Sequence, residues 1–280
     1  MAPRKAILWV GVALGLMLSA TPVFASSITF SAAGTDVASI TPTVNAFRAA
    51  IGGINNANAA GPLADGRREI NWDGGGAATT FSATPFNGFQ NNRGALFTTP
   101  GTGFLQAPPS GLDTFFGRAD GLYDSTFDPF SAQRVFTPVA SNIMDTTFFV
   151  PGTNGAVPAT VTAFGAVFSD VDSANITSLQ FFDLNGASLG TFFVPALLGQ
   201  DTFSFLGVQF NGELIGRVRI TTGDQVLSQT NIGIDQVVLD DFIFSEPQAV
   251  PESSSLVLLL SGASMVVWRM RRRRIDGFTN

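Results

Sequence analysis

The sequence predicts an all-β protein, an antiparallel two-layer β-sandwich of jelly-roll type with one short helix. Three observations predict it. Runs of four to ten residues rich in Phe, Val, Ile and Thr recur through residues 26–247, bounded by Gly, Pro and Asn-Gly, without helical crossovers between them. Residues 160–168 are apolar on both faces, as only a central, doubly covered strand should be. The chain also holds 27 phenylalanines, enough to fill an intersheet core without leucine-rich helices.

Residues 1–25 are expected to be a signal peptide. Arg4 and Lys5 form a positive start, residues 6–20 an apolar stretch, and Pro22 ends it. Val23-Phe24-Ala25 fits the small-x-small rule, placing cleavage between Ala25 and Ser26. Residues 27–30 form a first strand. Thr41 is expected to cap a helix over residues 42–51, with Pro42 in its first turn and Gly52-Gly53 at its end. Val44, Phe47 and Ile51 share one face of that helix. Residues 52–66, rich in Asn, Ala and Gly, read as a surface loop.

Residues 67–73 read as a strand turning at Gly74-Gly75-Gly76. No Gly-Lys-Ser/Thr follows, so these glycines form a turn and not a phosphate cradle. Residues 77–142 show weak periodicity, with strands expected at 94–98 and around 134–136 and long ordered loops between. Residues 146–150 form a strand closed by Pro151-Gly152. In the central strand, Val161, Ala163 and Val167 share one face and Phe164, Ala166 and Phe168 the other. Residues 178–184 and 188–194 flank Asn185-Gly186, a strong hairpin signal. Residues 201–210 and 214–221 flank Asn211-Gly212 and are expected to form a second hairpin, with Leu214, Val218 and Ile220 inward and Arg217 and Arg219 outward. Residues 236–244 form the last strand, and Glu246-Pro247 closes the domain at 247.

Composition bounds the chemistry. The chain has no histidine and no cysteine, which excludes Ser-His-Asp and Cys-His nucleophilic sites, histidine- or thiolate-based zinc sites and disulfides. Net charge is −6. Removing both ends takes seven of 15 basic residues and one of 21 acidic ones, leaving eight against 20, a net of −12. Such a body repels nucleic acid and anionic lipid. Carboxylates are plentiful, but no pair stands out at a catalytic spacing, so the chain is not expected to be an enzyme.

Asp170, Asp172, Asp183 and Asp241 are candidate ligands for one calcium ion, which takes six to eight oxygens and needs no histidine. Solvated turn aspartates are the competing reading. Strand alternation puts Asp241 on the face of Val237, Leu239 and Ile243, buried, with Arg217 or Arg219 as an alternative partner. Asp120, Asp124 and Asp128 lack EF-hand spacing and read as turn residues. Trp72 is a candidate sugar-stacking platform, with Tyr123 as a second exposed aromatic; a core tryptophan is the plainer reading.

The C-terminal thirty residues have three parts. Residues 248–255, including Val250, Pro251 and Glu252, form a polar linker. Residues 256–268 are uncharged and apolar, a short membrane helix of 13 residues where about 20 span a bilayer comfortably. The basic end, 269–280, carries Arg269, Arg271, Arg272, Arg273 and Arg274, which stay on the cytoplasmic side. This order resembles the PEP-CTERM sorting signal of Gram-negative bacteria, with Ser253 where the family motif has a second proline. The resemblance implies recognition by an exosortase after export, transient residence in the inner membrane, and release to the cell surface or extracellular matrix. It also implies a structural or adhesive role in an exopolysaccharide-rich layer. A calcium-stabilised carbohydrate-binding module is the alternative, with extracellular polysaccharide as its partner.

Overall fold

Alternation and turn chemistry divide the chain into short strands. In order they are β1 (Ser27–Gly34), β2 (Arg67–Ile70), β3 (Thr80–Ala83), β4 (Ala95–Thr98), β5 (Gly103–Ala107), β6 (Val135–Val139), β7 (Ile143–Phe148), β8 (Ala159–Thr160) and β9 (Ala163–Ser169). They continue as β10 (Ser178–Phe182), β11 (Ser188–Phe193), β12 (Phe203–Phe210), β13 (Arg217–Thr221), β14 (Val238–Ser245) and β15 (Gln248–Ala249). Among the described residues three α-helices interrupt them: α1 (Val37–Ala50), α2 (Gln90–Arg93) and α3 (Pro109–Phe116).

This computed structural model describes residues 26–212, 215–230 and 235–250. Ala25 at the predicted cleavage site, Pro251 and Glu252 of the sorting motif, residues 256–268, and Arg269, Arg271, Arg272, Arg273 and Arg274 lie outside the described residues. Among the described residues no helix is long and apolar enough to cross a membrane.

The strands form two main antiparallel sheets. The larger runs β1-β12-β9-β14-β6-β5-β3, with β2 also paired to β14; the smaller runs β11-β10-β13-β7-β4. β15 pairs with β8. Phe104, Phe136, Phe164 and Phe242 of the larger sheet share one buried cluster with Phe97, Phe148, Phe181 and Val218 of the smaller. The two sheets therefore pack face to face, as the sequence predicts.

The outer faces differ. The larger sheet is covered on its far side by α1 at one end and by α3 with the Tyr123 loop at the other. Every residue of β9 is consequently buried: Phe164, Ala166 and Phe168 enter the intersheet core, while Ala163 and Val167 lie under α1. Val161 sits with the first group, because the chain changes partners between β8 and β9. The smaller sheet keeps a wet outer face, so β13 alternates, with Val218 and Ile220 inside and Arg217 and Arg219 outside. Leu214, predicted to face inward, lies outside the described residues.

Three sequence expectations need correction. α1 starts at Val37, five residues before its predicted start, because Asp36 caps it: its carboxylate accepts from the Ser39 amide at 2.8 Å and the Ser39 hydroxyl at 2.7 Å. Pro42 sits inside the helix, and the Thr41 hydroxyl donates to the Val37 carbonyl at 2.6 Å. The second predicted hairpin does not form. β12 pairs with β1 and β9, and β13 with β10 and β7, so Asn211-Gly212 lies on a crossover between sheets. The reason is burial: β12 is covered on nearly its whole length and β13 on one face only, so they suit different layers. β14 carries an irregularity between Leu239 and Phe242, which breaks the alternation that placed Asp241 beside Val237 and Leu239.

The docking of α1 depends on a glycine pair. Gly165 and Gly207 lie opposite each other in β9 and β12, and Phe47 of α1 fills the notch. A Cβ on Gly207 would lie 2.7 Å from the Phe47 ring, and one on Gly165 2.9 Å. Gly207→Ala should therefore lift α1 and cost about 1–3 kcal/mol by overpacking. Urea unfolding measures this, and a companion Phe47→Ala change should make the two losses less than additive. An unchanged midpoint would show that the notch has room.

Candidate functional site

Three adjacent strands of the larger sheet end together and bring an acidic set with them. Val238 of β14 and Phe203 of β12 both stand opposite Ser169, the last residue of β9. Continuing past Ser169 runs alongside the residues just before β14 and β12. Asp170 and Asp172 thus meet Asp235 and Asp201. The Asp172 amide donates to Asp235 Oδ1 at 2.9 Å, and the Asp170 amide to the Thr202 carbonyl at 2.9 Å. Asp128 joins them, its amide donating to Ser169 Oγ at 3.2 Å. Asp224 completes the set, its Oδ1 accepting from the Asp235 amide at 3.2 Å.

Electrostatics at this end is one-sided. Burial, with the charges of Asp172, Asp235 and Asp201 adding to it, pushes the Asp170 carboxyl up to about 8. Burial also lifts Asp235 to about 6, assisted by the charges of Asp172 and Asp224. Burial, then the Asp128 charge, raises Asp201. Two carboxylate oxygens, Asp170 Oδ1 and Asp235 Oδ2, are buried without a hydrogen-bond partner. Among the described residues, no three acidic side chains converge as a preformed metal cage would.

The irregular segment of β14 organises a second acidic cluster. Asp240 Oδ2 accepts from the Phe130 amide at 2.6 Å and the Ser131 amide at 3.1 Å. The Ser131 hydroxyl lies 3.2 Å from Asp240, 2.8 Å from Asp241 and 3.1 Å from Asp73. One hydroxyl proton cannot serve three carboxylates, so a proton held by the carboxyls themselves relieves the repulsion. Burial, and then the Asp241 charge, raises Asp240 well above the usual carboxylate range. Burial also raises Asp241, against the pull of Ser131 and Arg48. Asp240 and Asp241 are only 1% and 4% exposed, so no substrate reaches them. The cluster instead clasps the 130–134 segment to β14.

The four predicted calcium ligands are divided among three places. Asp170 and Asp172 share the acidic strand end. Asp241 lies in the β14 cluster, and its cationic partner is Arg48 of α1 at 3.0 Å. Arg217 and Arg219, the predicted alternatives, both pair with Asp145 on the outer face of the smaller sheet. Asp183 closes the β10–β11 turn, its Oδ1 accepting from the amides of Asn185 and Ala187 at 2.8 Å each. Asp235, which sequence reasoning missed, is the carboxylate that the fold sets beside Asp170 and Asp172. Its signal was visible only through pairing: it precedes the last strand by the number of residues that sets it beside Asp172.

The aromatic expectations are corrected too. Trp72 is 1% exposed; its indole stacks on Phe136 at 3.7 Å and donates to the Asp240 carbonyl at 3.1 Å. Tyr123 is wholly buried, its hydroxyl donating to the Ser228 carbonyl at 2.9 Å. Neither ring is available to a sugar. At the ends of the fold, the Ser26 carbonyl accepts from the Asn211 amide at 3.1 Å, and the Val250 amide donates to the Pro158 carbonyl at 3.4 Å. No protein family, curated protein or solved structure matches the chain.

Proposed function

We propose that this chain is an exported cell-envelope or extracellular-matrix protein, sorted by an exosortase through its C-terminal signal. Its role is structural or adhesive, in an exopolysaccharide-rich surface layer, and involves no catalytic step. The observation that carries the reading is the order of three features at the C-terminus: Val250-Pro251-Glu252, the short apolar stretch 256–268, and the arginine cluster 269–274. The signal peptide, the short membrane helix and the jelly-roll affinity of the sandwich belong to the same proposal.

The body supports it. It is acidic, free of lysine and cysteine between residues 26 and 250, and built of sheets. Among the described residues strand pairing runs from Ser27 to Ala249, so cutting at Ala25–Ser26 and near Glu252 spares each described strand. Two residues assigned to the linker, Gln248 and Ala249, pair with β8.

Deleting residues 269–274 tests the proposal. The deleted protein should be recovered with its C-terminal tail intact and away from the outer surface, whereas the wild-type chain should end near Glu252 by C-terminal mass spectrometry. Equal processing and localisation of the two would overturn it. A calcium-stabilised carbohydrate-binding module is the second reading, favoured by the acidic strand end; burial of Trp72 and Tyr123 takes away its aromatic platform.

A further inference from the structure

We infer that the acidic end of the larger sheet binds a calcium ion, with the carboxylates of Asp170 and Asp235 as its principal ligands and Asp172 supplying further charge. Asp183 and Asp241 take no part.

Two carboxylate oxygens at this end are left over. Asp170 is 6% exposed and Asp235 1% exposed, yet Asp170 Oδ1 and Asp235 Oδ2 have no hydrogen-bond partner. A buried carboxylate oxygen without a partner carries its full desolvation cost. Both groups stand where β9 and β14 end side by side, tied by the Asp172 amide on Asp235 Oδ1 at 2.9 Å. Neighbouring oxygens of the set do find partners: Asp172 Oδ1 accepts from the Gly199 amide at 3.0 Å, and Asp224 Oδ1 from the Asp235 amide at 3.2 Å. The unfilled positions are therefore specific atoms within a wider acidic surface.

Among the described residues no basic side chain pairs with them. Residues 26–250 contain eight arginines and no lysine or histidine. Six of the arginines form ion pairs with Glu69, Asp120, Asp145, Asp241 or Glu246. Arg93 donates to the Glu69 carbonyl and to Asn58, and Arg134 to the Trp72 carbonyl. Every cation of the body is thus committed elsewhere, while Asp128, Asp170, Asp172, Asp201, Asp224 and Asp235 gather without one. A metal cation from solution can supply that compensation in place of protons.

The donor set selects the ion. It is all oxygen, which excludes the soft and imidazole-seeking metals. Asp170 adopts φ 67° at the end of a strand and the carboxylates do not converge on a tight octahedron. Calcium accepts irregular geometry and completes its shell with backbone carbonyls and water, whereas magnesium demands near-ideal octahedral ligands. Few carboxylates mean a weak site, in the 10⁻⁴–10⁻³ M range typical of extracellular modules. This inference does not depend on how the chain is sorted.

The test is thermal unfolding of the full chain in detergent, stripped with chelator and titrated with CaCl2 or MgCl2 at matched ionic strength. In 10 mM calcium the midpoint should rise by about 5 °C, as mass action at tens of Kd gives for a domain of this size. Magnesium should do much less. Asp170→Asn and Asp235→Asn should each abolish the calcium response without lowering the midpoint in chelator, since an amide relieves the same repulsion. Asp183→Asn should respond like wild type. No calcium-specific shift in the wild type, or a full shift in both Asn variants, would overturn the site.

Discussion

Glu246→Ala should cost about 3–5 kcal/mol, because it leaves the Arg68 guanidinium buried and unpaired. Arg68 is fully buried and Glu246 is 3% exposed. They meet in a fork, Nε to Oε2 and Nη2 to Oε1, at 2.6 Å each. Each also holds the 52–66 loop. Arg68 Nη1 donates to the carbonyls of Ala57 and Ala59 at 2.8 and 2.7 Å, and Glu246 accepts from the Leu63 amide at 3.2 Å and the Asn56 side chain at 2.8 Å. A segment expected to be a plain surface loop is therefore fastened to the ends of β2 and β14 by one charged pair. Domains have only about 5–15 kcal/mol of stability, so the loss is a large share. Urea unfolding followed by circular dichroism measures it. The double change Arg68→Met with Glu246→Leu should recover part of the loss, since no lone charge remains; the remainder belongs to the loop groups deprived of partners. A single-variant cost below about 1 kcal/mol would mean that Arg68 reaches water when its partner is removed.

Trp72→Ala is expected to be comparably severe, at about 3–5 kcal/mol. The indole lies within 2° of parallel to Phe136, meets Phe89 and Phe242 edge-on, and tilts against Phe97 at 5.3 Å. It thus joins β4, β6 and β14 across both sheets, and the cavity cannot collapse without moving all three. Trp72→Phe should cost less, keeping an aromatic ring but leaving the Asp240 carbonyl without the indole donor. Thermal melts of the two variants separate these contributions. A Trp72→Ala midpoint matching wild type would contradict the burial of this ring and restore it as a candidate sugar platform.

How much was legible in the sequence varied with the range of the forces involved. The Asn185-Gly186 hairpin was readable because its signal and its structure span the same few residues: the turn lies within Asp183–Ala187, and the Asp183 carboxylate closes it. The alternation of β13 and the all-apolar β9 were readable because a strand's burial shows directly in its side chains. Asn211-Gly212 carried an equally good local signal and failed, since the layer each flanking strand joins is settled by what covers its two faces. β3 and β5 were missed because four or five residues among prolines and glycines leave no pattern until a neighbour supplies the hydrogen bonds.

For the acidic residues the division is sharper. Composition alone established that the body has too few cations for its carboxylates and no histidine or cysteine for other chemistry, because those are counts that folding cannot change. It also established the three-part C-terminal pattern, whose parts are contiguous in the chain. Only the tertiary structure decided which carboxylates go unanswered. Asp241 received Arg48 from a helix 193 residues away in the chain, Asp183 received the amides of its own turn, and Asp170 and Asp235, 65 residues apart, were left with unpartnered oxygens. Charge is a property of residues, but its compensation is a matter of distance, and strand pairing sets distances that sequence separation does not reveal.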